Sequence, residues 1–172
     1  MKSKFIRKII ILIGVFTLAF SSTVLAAEYK LLPLASLYKW STPQDIKWIY
    51  IQDGVYDYHS SIVSGLNGWE EKTSKLNYSE GDDSSWDMRF WSDDMGSTGW
   101  HGWCNPVLKL VNLNDYYYSS FINDKAELVA HEVGHANGLD DVDSTKVLMR
   151  SSGYNHSKYP TSDDIEGINQ LY

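Results

Sequence analysis

Two histidines and one glutamate carry the clearest chemical signal in the sequence. His131 and His135 are four residues apart, and Glu132 directly follows the first of them. On a helix, the two imidazoles project from one face and can bind one metal ion, with the glutamate beside them as a general base. These residue types at this spacing are typical of zinc hydrolases.

A third metal ligand must come from outside this group, because catalytic zinc sites use three protein ligands and keep one position open. Gly138 follows shortly after the histidines, and a glycine there can adopt the left-handed conformation that turns the chain back. Such a turn brings Asp141 toward the ion. Asp140, Glu166 and His156 are the alternatives for this ligand.

The segment 131–141 resembles the extended metzincin motif, in which a glycine turn brings the last ligand round within a few residues. Met149 lies at the distance from Asp141 at which matrixins, the matrix metalloprotease family, place their methionine turn. The resemblance implies that Met149 forms an apolar floor under the histidines. It extends over about residues 38–172. Small bacterial metzincins similar to snapalysin also carry aspartate as the third ligand.

The resemblance to metzincins implies an α+β fold of the zincin type. We expect a twisted mixed β-sheet of about five strands with one antiparallel edge, a long zinc-binding helix and a C-terminal helix. The implied activity is that of a secreted zinc endopeptidase, in which Glu132 assists the attack of a zinc-bound water on a peptide bond. The expected substrate is a protein or peptide.

Two other functions agree with the same residues. One is a catalytically degenerate zinc-bound secreted domain that binds a partner without cutting it, although the intact Glu132 favours catalysis. The other is a zinc hydrolase that acts on a cell-wall amide, which differs only in the substrate.

The sequence departs from the usual matrixin pattern at two places. Most matrixins have a third histidine where this chain has Asp141, and an aromatic residue followed by proline where it has Arg150 and Ser151. The second difference falls in the wall of the primed-side substrate pocket, so the family's cleavage preference does not transfer. Tyr154 is a candidate oxyanion donor or pocket residue. Matrixins also suggest calcium, for which acidic groups are available at Asp82, Asp83, Asp87, Asp93 and Asp94.

The N-terminus is predicted to be a secretory signal peptide covering residues 1–26. Four cations precede an apolar run and then a stretch of small residues. We expect cleavage after Ala26, with Ala27 as the second choice; the alternative is a retained membrane anchor. Residues 27–37 then form a short N-terminal segment before the catalytic domain, 38–172. This segment is too short for a folded prodomain, so the exported enzyme is expected to be active.

Composition argues against a nucleic-acid partner. The formal net charge is -7 and becomes more negative once the leader cations are removed. The chain contains one cysteine, Cys104, which allows no internal disulfide and is expected to be a buried hydrophobic residue. Its use as a ligand that keeps the enzyme latent is the weaker alternative. We expect one domain, monomeric and free of membrane after signal cleavage.

Hydrophobic patterns predict the elements that must position the metal site. Strands are expected at 46–51, 74–78, 86–91 and 107–113, the last covered on both faces, with loops at 79–85 and 92–102. An amphipathic helix is expected over about 56–72, with Tyr58, Ile62, Leu66 and Trp69 on its buried side.

The zinc helix is expected to begin at Asn123 or Asp124 and to end at Gly138, with Leu128, Val129 and Val133 facing the core. A closing helix over 162–172 would be capped by Ser162. Core packing is the preferred interpretation for four tryptophans: Trp86, Trp91, Trp100 and Trp103. Three histidines receive no role, and only the second is expected near the cleft: His59, His101 and His156.

Overall fold

The computed structural model describes residues 27–121 and 123–172. The predicted signal peptide, 1–26, lies outside these residues. Within the described part, none of the helices combines the length and apolar character needed to span a bilayer.

Five strands form one mixed sheet, in the order β2-β1-β3-β5-β4. The strands are β1 (Ile46–Gln52), β2 (Tyr78–Glu80), β3 (Met88–Asp93), β4 (Gly102–Asn105) and β5 (Leu110–Asn114). All neighbouring pairs are parallel except β4 with β5, which is antiparallel and places β4 at an edge. The predicted α+β class and the single antiparallel edge are therefore confirmed.

Strand boundaries differ from the predictions because pairing partners determine them. The parallel ladder between β1 and β2 starts where Ile46 faces Tyr78, so residues 74–77 have no strand to pair with. In the same way β3 starts at Met88, opposite Trp48, and runs to Asp93, opposite Asn114. The predicted strand 74–78 therefore corresponds to β2, and the predicted strand 86–91 corresponds to β3. The predicted loop 92–102 is shorter in the structure, because β3 continues to Asp93 and β4 starts at Gly102.

The prediction of a strand over 107–113 is wrong at its start. Val107 and Leu108 are exposed in the turn between β4 and β5. The Asn105 side chain accepts hydrogen bonds from both of their backbone N–H groups, at 3.2 and 3.0 Å. This local bonding stabilises a turn instead of a ladder. Burial alternates from Leu110 to Leu113, and Leu110 and Asn112 are only partly buried. The prediction that this strand is covered on both faces is therefore wrong.

Two central helices pack against each other and against the sheet. Helix α2 (His59–Glu70) is shorter than the predicted 56–72, because Asp115 accepts the backbone N–H groups of Val55 and Tyr56 and Asp57 accepts that of His59. Its predicted buried face is confirmed. Helix α3 (Lys125–Asn137) follows a 3₁₀ turn (Asp115–Phe121), has Asp124 at its N-cap and ends at Gly138. Its core residues are buried as predicted: Leu128, Val129 and Val133.

Helix α4 (Ser162–Leu171) closes the chain, and a single-turn helix, α1 (Ala35–Tyr38), precedes the sheet. The predicted cap of α4, Ser162, is wrong by one residue. Thr161 is the cap, and it forms a reciprocal capping box with Asp164.

Residues from distant parts of the chain meet at the C-terminal end of α3. Trp40 and Tyr78 both donate to the side-chain oxygen of Asn137, at 2.8 and 3.0 Å. The Tyr172 hydroxyl donates to the Asn137 carbonyl at 2.9 Å. The end of the helix that carries the histidines is thus fixed from both ends of the described chain.

Candidate metal centre

Helix α3 presents His131 and His135 on one face, as their spacing predicts. Their rings are nearly perpendicular, with centroids 4.9 Å apart and an interplanar angle of 89°. Each Nδ1 lies next to a backbone carbonyl: that of Leu148 at 3.0 Å and that of Leu139 at 2.9 Å. Because a carbonyl only accepts, each Nδ1 carries a proton, and Nε2 is the atom that each ring directs to the shared site.

Asp141 completes the cluster from the turn after α3. Gly138 ends the helix with φ of 107°, a left-handed value that favours glycine. The turn places one carboxylate oxygen of Asp141 3.2 Å from His131 Nε2 and 3.7 Å from His135 Nε2. Ligand atoms around a tetrahedral zinc lie about 3.3 Å apart. The two nitrogens and one oxygen therefore fit a zinc ion.

The short N-terminal segment lies along this turn. Leu32 N–H donates to the Gly138 carbonyl at 2.9 Å, and Asp140 N–H donates to the Lys30 carbonyl at 2.8 Å. Lys30 also forms an ion pair with the Asp140 side chain. The segment thus holds the backbone at Gly138 and at Asp140, the residue directly before Asp141.

Met149 lies below the histidine helix, buried against Gly134. A Cβ atom at Gly134 would come within 2.1 Å of the methionine sulfur, so only glycine allows this close approach. The backbone N–H groups of Leu148 and Met149 donate to the buried Asp164 carboxylate at 2.9 and 3.1 Å. Helix α4 thereby fixes the methionine turn, and with it the Leu148 carbonyl that orients His131.

Glu132 is buried beside the cluster. Burial raises the pKa of its carboxyl group, and the neighbouring His131 and His135 oppose this effect. A carboxyl group with a raised pKa next to a metal site is suited to taking up and returning protons near neutral pH.

Two cavities flank the cluster. The first, about 350 Å³, extends from His131 and Glu132 between β4 and the chain after Met149; we call it the side pocket. Its lining includes Glu127, Arg150 and Tyr154. The second cavity, about 380 Å³, borders the three metal-site residues from the other side, where it contacts Trp100, Trp103 and Cys104.

Residues 69–172, more than half of the chain, match the family model described as Matrixin. This chain belongs to the matrixin family. Matrixins are zinc-dependent metalloproteases that act on peptide substrates, so membership provides the general class of activity. No curated protein matches this matrixin.

The alternative third ligands of this matrixin are engaged elsewhere. Asp140 pairs with Lys30, His156 Nδ1 lies 2.7 Å from Asp124, and Glu166 accepts from Gln170 at 2.8 Å. Among the residues described, the cluster of His131, His135 and Asp141 is the one group of three metal-binding side chains that meets. The acidic groups considered for calcium do not converge in that part of the chain, and calcium stays a prediction.

Core packing of the four tryptophans is wrong. Trp86 and Trp103 are exposed and Trp91 and Trp100 are half-buried. Trp100, in the loop before β4, and Trp103, on β4, both line the second cavity next to the metal cluster. Cys104 on the same strand is free and buried, as expected.

Two site residues were missed from the sequence. Glu127, for which no role is predicted, lines the side pocket. Asp164, for which no role is predicted either, supports the methionine turn. The Thr161 and Asp164 spacing of a capping box could have identified the second, whereas no local signal identifies the first. His101 lines the side pocket, and His59 lies at the surface beside Glu80.

Proposed function

We propose that this matrixin is a secreted zinc endopeptidase, with His131, His135 and Asp141 as the zinc ligands. The observation that carries the proposal is the convergence of three ligand atoms within 4.8 Å of one another, with the Glu132 carboxylate beside them. The predicted signal peptide supports secretion.

A bound zinc would supply Lewis-acid chemistry, lowering the pKa of a water molecule and polarising a peptide carbonyl. The roles of the protein residues follow from their positions. The Leu148 and Leu139 carbonyls hold the two imidazoles in the tautomer that binds metal. Glu132 accepts a proton from the attacking water and returns it to the leaving amine, so no covalent enzyme intermediate is required.

We place Tyr154 in the wall of the side pocket and not among the oxyanion donors. Its hydroxyl lies 2.6 Å from His101 Nδ1, and both rings stack with Phe121. Burial lowers the pKa of His101, so that ring is neutral and pairs with the hydroxyl as a rigid unit.

Replacement of the general base tests the proposal. Glu132→Ala should retain zinc, measured by metal analysis, but should lose more than 99% of the cleavage of an unfolded protein substrate, roughly the 10²-fold or greater effect expected of a general base. The matched control is Glu71→Ala, at an exposed glutamate at the end of α2, which should cleave like the wild type. Equal cleavage by the wild type and Glu132→Ala would contradict the assignment.

The same pair of proteins separates the alternatives. A degenerate binding domain would bind zinc but show no chelator-sensitive cleavage in the wild type. A cell-wall amidase would release fragments from purified peptidoglycan and leave protein substrates intact.

A further inference from the structure

The side pocket contains a buried carboxylate that forms no ion pair with any residue the structure describes. Glu127 is only 4% exposed. Its two oxygens accept hydrogen bonds from the backbone N–H groups of Asn155 and Ser157, at 2.5 and 3.0 Å. Glu127 lies in the first turn of α3 and lines the pocket, and an opposite charge brought next to a buried carboxylate stabilises it further.

The surroundings of Tyr154 indicate negative potential inside the same pocket. Burial raises the pKa of the Tyr154 hydroxyl, and the charges of Asp124, Glu127 and Glu132 raise it further. A raised pKa of a phenol beside carboxylates means that another negative charge is disfavoured there. By the same interaction, a positive charge is favoured.

Arg150 is the one permanent cation among the described residues that line the pocket. Its guanidinium is turned toward its own loop: Nε donates to the Ser152 carbonyl at 2.8 Å and Nη1 to the Tyr154 carbonyl at 3.1 Å, and Nη1 also contacts the Asn155 side chain. Arg150 therefore shapes the wall and forms no ion pair with Glu127.

We propose that the side pocket selects substrates with lysine or arginine directly after the scissile bond, and that Glu127 is the residue that recognises this side chain. The position follows from the location of the pocket, which adjoins His131 and Glu132 and is walled by the segment after Met149, at the place of the primed-side wall in matrixins. This inference rests on the proposed function and adds the substrate class to it.

The test uses two peptides that differ only in the residue after the scissile bond, lysine in one and leucine in the other. For the zinc-loaded wild type, the ratio of kcat/KM for lysine over leucine should exceed about 10. Glu127→Gln keeps the size of the side chain and removes its charge, and should lower this ratio about tenfold, as expected for one buried charge-assisted hydrogen bond. The control is Glu70→Gln, whose carboxylate also accepts a backbone N–H, from Tyr78 at 2.6 Å, but lies outside the pocket.

A second variant, Arg150→Gln, gives the opposite expectation. Removing the cation should raise the ratio of lysine over leucine by about threefold or more. This measurement tests the proposal even if the Glu127→Gln protein does not fold. Binding of both peptides to Glu132→Ala, followed by tryptophan fluorescence, should show the same preference without turnover.

The outcomes are distinguishable from failure of the proposed function. If the wild type cuts neither peptide nor any protein substrate, the endopeptidase assignment fails. If the wild type cuts peptides but the ratio is below one, or if Glu127→Gln leaves the ratio unchanged, the endopeptidase stands and the basic preference is overturned.

Discussion

Helix α3 and the turn after it contribute to one metal cluster in different ways. The histidine side chains on the helix are 19% and 15% exposed, whereas the Asp141 side chain on the turn is 46% exposed. Both imidazoles are fixed by carbonyl hydrogen bonds. Asp141 depends on Gly138 and on the N-terminal segment paired beside it. In the proposed metal site the two imidazoles are therefore held directly by hydrogen bonds to their rings, whereas Asp141 is positioned through the backbone of its turn.

This difference predicts unequal losses when single ligands are removed. His135→Ala should weaken zinc binding about 1000-fold, because a ligand already held in place is lost. Asp141→Ala should weaken it only about 100-fold, since water can occupy the more exposed position. Competition with a chromophoric chelator measures both constants, and Glu166→Gln serves as the control. Equal losses would mean that the turn is as rigid as the helix.

Two glycines, one in α3 and one in the turn after it, allow the same comparison to be made by measuring stability. Gly134→Ala should lower the free energy of unfolding by about 2–3 kcal/mol, because its Cβ would overlap the buried Met149 sulfur. Gly138→Ala should cost about 1–2 kcal/mol through left-handed strain and should also weaken zinc binding by displacing Asp141. Denaturant unfolding of the chelator-treated proteins measures the free energy of unfolding of both variants.

Gly96→Ala is the control for strain alone. Gly96 has φ of 71° and nothing within 4 Å of an added Cβ. This variant should lose stability without a change in zinc affinity. A similar loss of affinity for the Gly96 and Gly138 variants would contradict the role of Gly138 in positioning the third ligand.

Proton competition links the two regions. Burial lowers the pKa of His131, but the hydrogen bond with Asp141 and the charge of Glu132 outweigh this effect and raise the pKa to about 9. Zinc must displace this proton, so its affinity should rise about tenfold for each pH unit between 7 and 9. Calorimetry in buffers of different ionisation enthalpy should detect about one proton released per zinc near pH 7.5.

The metal-free protein should show the opposite trend. Because the pKa of His131 is raised on folding, the protonated ring contributes stability that is complete below about pH 6.5 and is lost as the pH rises through about 9. Asp141→Asn should flatten this dependence. An unchanged pH profile in that variant would contradict the pairing of His131 with Asp141.

The smallest effect is expected from the N-terminal segment. Lys30→Ala should weaken zinc binding about threefold by removing the ion pair with Asp140, as expected for a partly exposed pair, and Lys30→Arg should restore it. A chain starting at Leu32 should lose up to about tenfold. If the shortened chain binds zinc like a chain that starts at Ala27, the turn holds Asp141 without help.

Local patterns in the sequence predict the helices of this fold best. The spacing of His131 and His135, the glycine that ends α3 and the buried face of α2 all depend on residues within a few turns of one another. The α+β sheet with one antiparallel edge was also anticipated, through the resemblance to matrixins.

Features that depend on distant partners were predicted poorly. Strand β2 starts at Tyr78 because its neighbour starts at Ile46, and no local residue signals that boundary. Trp100 and Trp103 are large apolar residues of the kind that usually pack in a core, but they lie at or next to the edge strand β4. The local sequence shows only that Glu127 lies near the start of α3. Its place in the side pocket depends on Asn155, which is 28 residues later in the chain. Helical spacing describes one element, whereas these outcomes depend on which elements become neighbours.

The hydrogen bonds at Asn137 also affect the order of assembly. Its partners, Trp40, Tyr78 and Tyr172, are spread across the described chain. The helix that carries the histidines is therefore secured only after residue 172 has been synthesised, because contacts between distant residues require the intervening chain. The ordering of this helix is therefore expected late in the folding of the domain, after the residues that flank and form the sheet have come together.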